Sequence, residues 1–462
     1  MKIPFFRCWL LALLGFASAP AAEPVEVAVK PGGPWKSYPT RTLDDWPALA
    51  RAQPDANLSR YGGMLGRTAP KTGFFHAARI GGRWWLIDPD GAFYLDKSVV
   101  SVSTTPTPKA AAALKAKFGD EAGWARQTCA WLRSLGFNGL GAWSDTTRLV
   151  GGPPPLAYTR IWNFMSGYGR KRGGTFQQPG HTGYPKDAIF VFDPEFATFC
   201  DEHARQLAAQ KDDPWLLGHF TDNELPMKRE ALANFLSLPE SDPGCRAAQQ
   251  FLRERHGPQA TAKDITEADP AAFLEHVVDR YLRIVCGAIR KYDPNHMILG
   301  PRLHGGALNY PEVFRASGRH LDVIAVNYYR AWTPDAEKLA MWEREAGKPF
   351  TITEWYAKGM DAVGLTNASG AGWTVKTQRD RAKFYENFTL GLLAAPGCVG
   401  WQWFKYVDND PENLKTDPSN RDSNKGMVTN RYEPYPELAA AMKRINERVY
   451  QAAEYFNRPK PR

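Results

Sequence analysis

Two glutamates in this sequence stand where a carboxylate can do chemistry. Glu224 follows the apolar run in WLLGHFTDNE (215–224) and Glu354 follows the one in PFTITE (349–354), so each comes just past a strand-like segment. Facing carboxylates are what cleavage of a glycosidic bond requires: a carboxylic acid protonates the leaving oxygen while a carboxylate attacks the anomeric carbon or activates water. Either glutamate alone reads equally well as a surface acid in a loop, and the repeated placement carries the inference. Other chemistries find no constellation. After Cys8, the cysteines Cys129, Cys200, Cys245, Cys286 and Cys398 are odd in number, widely spaced and free of any CxxC pair, which argues against a disulfide framework or a zinc site. The nine histidines form no HExxH pattern. Asp408, Asp410 and Glu412 imitate a calcium loop, but the glycine such a hand requires is missing. No catalytic metal is expected, and with neither GxGxxG nor GxxxxGK[ST] after a strand, no cofactor either.

Behind the glutamates, strand-like apolar runs alternate with helical ones, the pattern of a parallel sheet built by crossover helices. The candidate strands are Phe93 to Val100, Asn138 to Trp143, Ala157 to Asn163, Leu216 to Thr221, Met297 to Arg302, Val323 to Tyr328, Phe350 to Glu354, and Val399 to Phe404. Helical runs fit Trp124 to Leu135, Pro194 to Ala209, Ala271 to Lys291, Glu337 to Glu345 and Arg379 to Leu393. This predicts an α/β fold, a (β/α)8 TIM barrel, with a doubly wound open sheet as the rival. On a barrel, chemistry sits at the carboxyl ends of the strands, where both glutamates fall. The 130 residues between them hold three strand–helix units, which sets them across the mouth from each other. Three long loops leave the same face: Phe164 to Phe192, Trp355 to Thr377, and Lys405 to Tyr432. The first is expected to wall the site, with Tyr168, Phe176 and Tyr184 available for stacking.

The remaining composition bounds the class. A chain of 462 residues, 43% hydrophobic and 23% charged, is that of a globular protein rather than a disordered chain or membrane bundle. The net charge of +9 contains no run of five like charges, so no nucleic-acid partner is expected. Residues 1–22 read as a secretory signal: Lys2 and Arg7 precede the apolar run Trp9 to Phe16, and small residues follow from Ala17 to Ala22. A secreted or periplasmic protein without a membrane anchor is expected, since no later stretch approaches about 18 apolar residues. Residues 23–74 read as an N-terminal extension or linker, 75–445 as the catalytic barrel and 446–462 as a C-terminal tail. The barrel region opens with a β-hairpin, His76 to Ile80 and Arg83 to Ile87, around the Gly81-Gly82 turn.

Several strings together resemble glycoside hydrolase family 50, the β-agarases, within the clan of retaining barrel hydrolases. They are GRWWLIDPDGAFY (82–94), LGFNGLGAWSD (135–145), FDPEF (192–196), DDPWLLGHFTDNELPM (212–227), TITEW (351–355) and WQWFKYVD (401–408). Gly426-Met-Val and Pro434-Tyr-Pro-Glu-Leu follow, and the resemblance covers roughly residues 75–445. It implies that Asn223-Glu224 is the acid/base pair of residues and Glu354 the nucleophile. It further implies that Asn223 bonds the sugar 2-hydroxyl, that Tyr329 in VNYYR bonds the nucleophile, and that Trp403 floors the subsite of the cleaved sugar. The chain departs from the family pattern at Leu95-Asp96-Lys97-Ser98, where small residues are more usual. Asp96 with Lys97 reads either as an ion pair near the mouth or as the solvated end of a strand.

Strand-end placement adds further candidates. Arg302 and His304 in GPRLHGG (300–306) offer a planar donor fork and an imidazole to sugar hydroxyls, with structural roles equally open. Trp143, Ser144 and Asp145 end the second strand, and Asp145 reads alternatively as a helix cap. The expected function is that of a secreted retaining β-glycoside hydrolase, agarase-like, acting on a galactose-containing polysaccharide or its oligosaccharides. A β-galactosidase or other β-glycosidase of the clan, and a non-catalytic carbohydrate-binding barrel, are the alternatives. Retaining chemistry asks that Glu224 hold a raised pKa while Glu354 stays ionised.

Overall fold

The computed structural model describes residues 23–152 and 155–458, so the signal-like stretch 1–22 lies outside the described residues. Eight parallel strands form the centre: β1 Asp96–Val99, β2 Gly139–Leu140, β3 Ala157–Ile161, β4 Leu216–Phe220, β5 Met297–Gly300, β6 Ile324–Asn327, β7 Phe350–Glu354 and β8 Cys398–Trp403. Their hydrogen-bonded order is β5-β4-β3-β2-β1-β8-β7-β6. The two outer strands meet through a parallel bridge between Leu303 and Val326, with Leu303 N–H donating to Ala325 O at 2.9 Å. That contact brings the ends of the sheet together into a barrel, and the open-sheet rival falls.

Helices cover the outside because their apolar residues recur on one face. Asp269–Tyr292 buries Phe273, Leu274, Val277, Val278, Tyr281, Leu282 and Val285, the three-and-four spacing of a helix laid on a sheet. Gln378–Leu393 starts at a capping box in which Thr377 and Asp380 satisfy each other's backbone N–H groups. Strand alternation sorts β8: Gln402 points inward to Asp96, while Trp401 points outward and donates to the Tyr385 hydroxyl of the helix behind it at 3.0 Å.

One expected boundary shifts. The run Phe93 to Val100 divides: Ala92–Tyr94 joins an antiparallel sheet with Met64–Thr68, Arg83–Ile87 and His76–Ile80, and only Asp96–Val99 enters the barrel. The hairpin of this sheet sits at the amino end of the barrel, where Arg83 donates to the carbonyls of Leu393 at 2.7 Å and Cys398 at 3.2 Å. Asp96 and Lys97, being neighbours on a strand, face opposite ways and form neither a mouth ion pair nor a solvated end. Asp96 is buried against Ser98 and Gln402 inside the barrel, and Lys97 is buried 5.0 Å from the Tyr450 ring outside it. Residues 23–74 wrap the barrel, with Pro24–Ala28 and Lys36–Pro39 pairing into a sheet with Trp373–Val375 and Ala357–Gly359 from the loop after β7.

Candidate active site

The strand ends turn sharply. Ser101, Trp143, Asn163, Glu224, Arg302 and Arg330, just past β1 to β6, all carry positive φ between 51° and 61°. A non-glycine residue there costs roughly 1–2 kcal/mol, so the fold pays to aim these side chains. Together with the long loops they enclose a cavity of about 570 Å³ lined by Glu224, Glu354, Tyr329, Trp143, His181 and His304, among others.

Both oxygens of Glu354 are engaged. Oε1 lies 2.9 Å from Arg302 Nη2, and Oε2 accepts from the Tyr329 hydroxyl at 2.5 Å. Arg302 also donates through Nη1 to Asn223 Oδ1 at 3.0 Å, and its guanidinium lies 4.3 Å from the centre of the Trp143 ring. Glu224 Oε1 accepts from Asn327 Nδ2 at 2.8 Å, and Asn327 is itself fixed by Thr353 Oγ1 at 2.7 Å. The other oxygen, Oε2, lies 3.5 Å from His181 Nδ1. One network thus runs from strand β4 through β5 and β6 to β7.

Burial sets the electrostatics. Glu354 is pushed up to about 7, chiefly by desolvation; Arg302 opposes this and the charge of Glu224 adds to it. At Glu224 desolvation also pushes upward, but hydrogen bonding by His181, the charge of His304 and the Asn327 bond outweigh it and draw the group below its usual value. The charge contributions of the histidines require protonated rings, and desolvation holds the His304 ring below its ordinary value. The directions of the two shifts, Glu354 upward and Glu224 downward, are the reverse of those expected for retaining chemistry, and the His181 contact is the largest of the influences that lower Glu224.

Of the residues singled out from sequence, Glu224, Glu354, Tyr329, Trp143 and His304 line the cavity, while Arg302 and Asn223 bond the groups that do. Trp403 does not floor it. It is 0% exposed because the alternation that turns Gln402 inward turns Trp403 out, where its Nε1 donates to Lys425 O at 3.2 Å. Trp143 (40% exposed), Tyr356 and Phe404 supply the aromatic surface instead. Asp145 stands outside the cavity lining as the cap of helix Thr146–Leu149, accepting from Arg148 N–H at 3.3 Å and pairing with the Arg148 side chain. The loop after β3 is ordered as helix Phe164–Arg172 and a hairpin, Phe176–Gln178 with His181–Gly183. Tyr168 and Tyr184 are buried in the core and Phe176 points elsewhere, so the loop walls the cavity with Pro179, Gly180 and His181 rather than with those rings.

Four residues went unread. Asn327, a polar residue ending the apolar strand β6, was visible by the strand-end argument. Asp222 accepts from Met165 N–H at 2.8 Å and Ser166 N–H at 3.1 Å, pinning the helix after β3 to the end of β4. His181 and Lys425 lie in loops with no periodic signal. The Lys425 ammonium donates to Ser419 O at 2.7 Å and Asn420 Oδ1 at 2.8 Å beside the Tyr356 and Phe404 rings, and desolvation with the neighbouring Lys405 holds it well below its ordinary value.

No family model matches the chain. It is 26% identical over 353 residues to β-agarase B of Vibrio sp. (strain JT0107), a span covering 68% of this chain and 35% of that protein. β-Agarase A of the same organism is 26% identical over 377 residues, 71% of this chain and 36% of that one. The chain thus spans about a third of the length of these curated relatives. Among solved structures, BpGH50 superposes with a TM-score of 0.80 at 27% identity, covering 94% of this chain and 96% of that one. An exo-β-agarase superposes with a TM-score of 0.72 at 22% identity over 89% of this chain and 69% of that one, a likeness of fold.

Proposed function

For a barrel that resembles the β-agarases of glycoside hydrolase family 50 in both sequence and fold, we propose retaining hydrolysis of β-galactosidic bonds in agar-type polysaccharide or its oligosaccharides. The observation that carries this is the pair of glutamates at the ends of β4 and β7, lining one cavity, with a tyrosine hydroxyl and an arginine on Glu354. Glu354 attacks the anomeric carbon while Glu224 protonates the leaving oxygen. The glycosyl–enzyme ester then removes the negative charge of Glu354, Glu224 becomes more acidic, and it takes a proton from the water that cleaves the ester. Arg302 and Tyr329 both favour the anion of Glu354. Desolvation favours the neutral form of Glu224, which is where the first step needs the proton of the pair. Export to the periplasm or medium belongs to the same reading and rests on the signal-like residues 1–22. No helix among the described residues is long and apolar enough to cross a membrane.

The test is incubation of the pure protein with agarose oligosaccharides, with product sizing and proton NMR of the first product. The expected result is a shorter oligosaccharide released with the β configuration at its new reducing end. Release of the α anomer first, or an uncut substrate across a panel of algal galactans, ends the proposal.

A further inference from the structure

Beside the carboxylate pair the cavity gathers a second donor set. His181 comes from the hairpin after β3, His304 from the loop after β5, and Glu224 stands between them. One ligand-capable atom from each of the three lies within 4.8 Å of the others. The two imidazole rings are 5.3 Å apart, and His304 Nδ1 is buried without a hydrogen-bond partner. The 3.5 Å separating His181 Nδ1 from Glu224 Oε2 is long for a charge-assisted hydrogen bond. It is close to the edge of a tetrahedron whose centre binds N and O at about 2.0–2.1 Å, an edge of roughly 3.4 Å.

A comparison within the molecule sharpens this. His219, Asp293 and His296 form the other such group among the described residues, but their nitrogens are spoken for. His219 Nδ1 accepts from Trp162 at 2.9 Å and its Nε2 donates to Asp293 at 2.8 Å, while His296 engages Asp293 at 2.7 Å and Asp213 O at 2.8 Å. That group is a closed hydrogen-bond network deep in the fold. The group in the cavity has an unused nitrogen and an open side.

We propose that His181, His304 and Glu224 bind a zinc-class divalent transition-metal ion, and that its binding withdraws Glu224 from proton transfer and reversibly inhibits the protein. The inhibition rests on the reading of Glu224 as acid/base, whereas the binding does not. Two imidazoles and a carboxylate with a fourth position open to the cavity suit zinc, while magnesium and calcium prefer shells of oxygen. Occupation would also compete with the sugar, because the open position faces the same space.

Zinc chloride titrated calorimetrically into the metal-free protein, with magnesium chloride in parallel, decides the binding. One zinc per chain is expected, weakened about 100-fold or more in His181→Ala and in His304→Ala. His181 lies on an exposed hairpin, so His181→Cys, which offers a thiolate in its place, should restore binding without repacking the core. Zinc should raise the melting temperature of the wild type and leave that of His181→Ala unchanged. No zinc uptake, or zinc affinity in the two alanine variants equal to that of the wild type, overturns the site. Hydrolysis of agarose oligosaccharides in the same zinc series then tests inhibition, which should vanish on chelation and shift with the calorimetric affinity. Binding without any hydrolysis at any zinc level would keep the site and remove the hydrolase reading; hydrolysis that persists at saturating zinc would overturn the inhibition.

Discussion

Tyr329 and Arg302 hold one carboxylate by both oxygens, while Asn327 and the two histidines surround the other. That asymmetry makes the roles separable by chemistry. Glu354→Ala should lower turnover by at least about 10⁴-fold, and azide, filling the space of the missing carboxylate, should give a glycosyl azide of inverted configuration. Glu224→Ala should cost about 10²–10⁴-fold on a natural leaving group and far less on an activated aryl leaving group that needs no proton. Azide should then yield a product of retained configuration, and the opposite pairing of products would exchange the two roles. The tryptophans make a second contrast. Trp143 is solvent-facing over Arg302, so Trp143→Ala should raise KM for oligosaccharides by about 10-fold, the loss of a stacking contact worth ~1.4 kcal/mol. Trp403→Phe should leave KM near the wild-type value while costing about 1–3 kcal/mol of stability. A rise in KM for Trp403→Phe with an unchanged melt would return that ring to the substrate.

At the scale of the element, strand β4 leads into Glu224 at one end and carries an anchor within it. His219 accepts from Trp162 through Nδ1, which leaves its proton on Nε2, pointing at Asp293. Asp293 is buried and receives His219, His296 and the backbone N–H of Asn295 at 3.1 Å; although desolvation pushes it upward, these bonds draw it well below the usual carboxylate range. A depressed carboxyl contributes stability that is present above its unfolded pKa and lost as the pH falls through the folded value. Asp293→Asn should therefore cost about 2–3 kcal/mol near pH 7, and the gap from wild type should narrow below about pH 4 as the wild type loses this contribution. Urea unfolding across that range measures it, and a gap independent of pH would sever the link to ionisation. These same elements show what was legible in the sequence. Strands β4 to β8 stood out as apolar runs because they are buried on both faces, and Glu224 and Glu354 were readable as the polar residues that end two of them. Strand β1 was blurred into Ala92–Tyr94 because one apolar stretch serves two sheets. Trp403 was placed at the cavity where Phe404 stands, because the pattern places a strand without saying which parity faces the mouth, and a slip of one residue swaps core for cavity. His181 and Lys425 were not legible at all, since loops bring them in from distant sequence without any period.

At the scale of the molecule, the segment before the barrel braces a cavity wall that it does not itself line. Pro24–Ala28 pairs antiparallel with Trp373–Val375, Val27 facing Val375 and Ala28 facing Thr374. The chain then crosses the helix behind β7, where Arg41 N–H donates to Asn387 Oδ1 at 3.0 Å and Leu43 N–H to Glu386 Oε2 at 2.7 Å. Trp332, just past β6, donates to Thr40 Oγ1 at 2.8 Å. Trp373–Val375 is the returning limb of the loop after β7, and this loop presents Gly370 and Ala371 to the cavity. Its tip is gathered by Lys358, whose ammonium donates to the carbonyls of Asn367 at 3.1 Å, Ser369 at 3.2 Å and Gly370 at 3.3 Å. Without residues 23–40, Trp373–Val375 keeps only Ala357–Gly359 as a partner, and a two-stranded remnant is marginal in water. Deletion of 23–40 should therefore leave the barrel folded, open the segment 357–375 to proteolysis, and raise KM for long agarose oligosaccharides by about 10-fold, ~1.4 kcal/mol, from the wall that is no longer held. A small aryl galactoside, which reaches only the glutamates, should lose much less. Equal loss on both substrates would mean that the deletion disturbs the barrel itself, and no loss on either would mean that the loop after β7 stands without its brace.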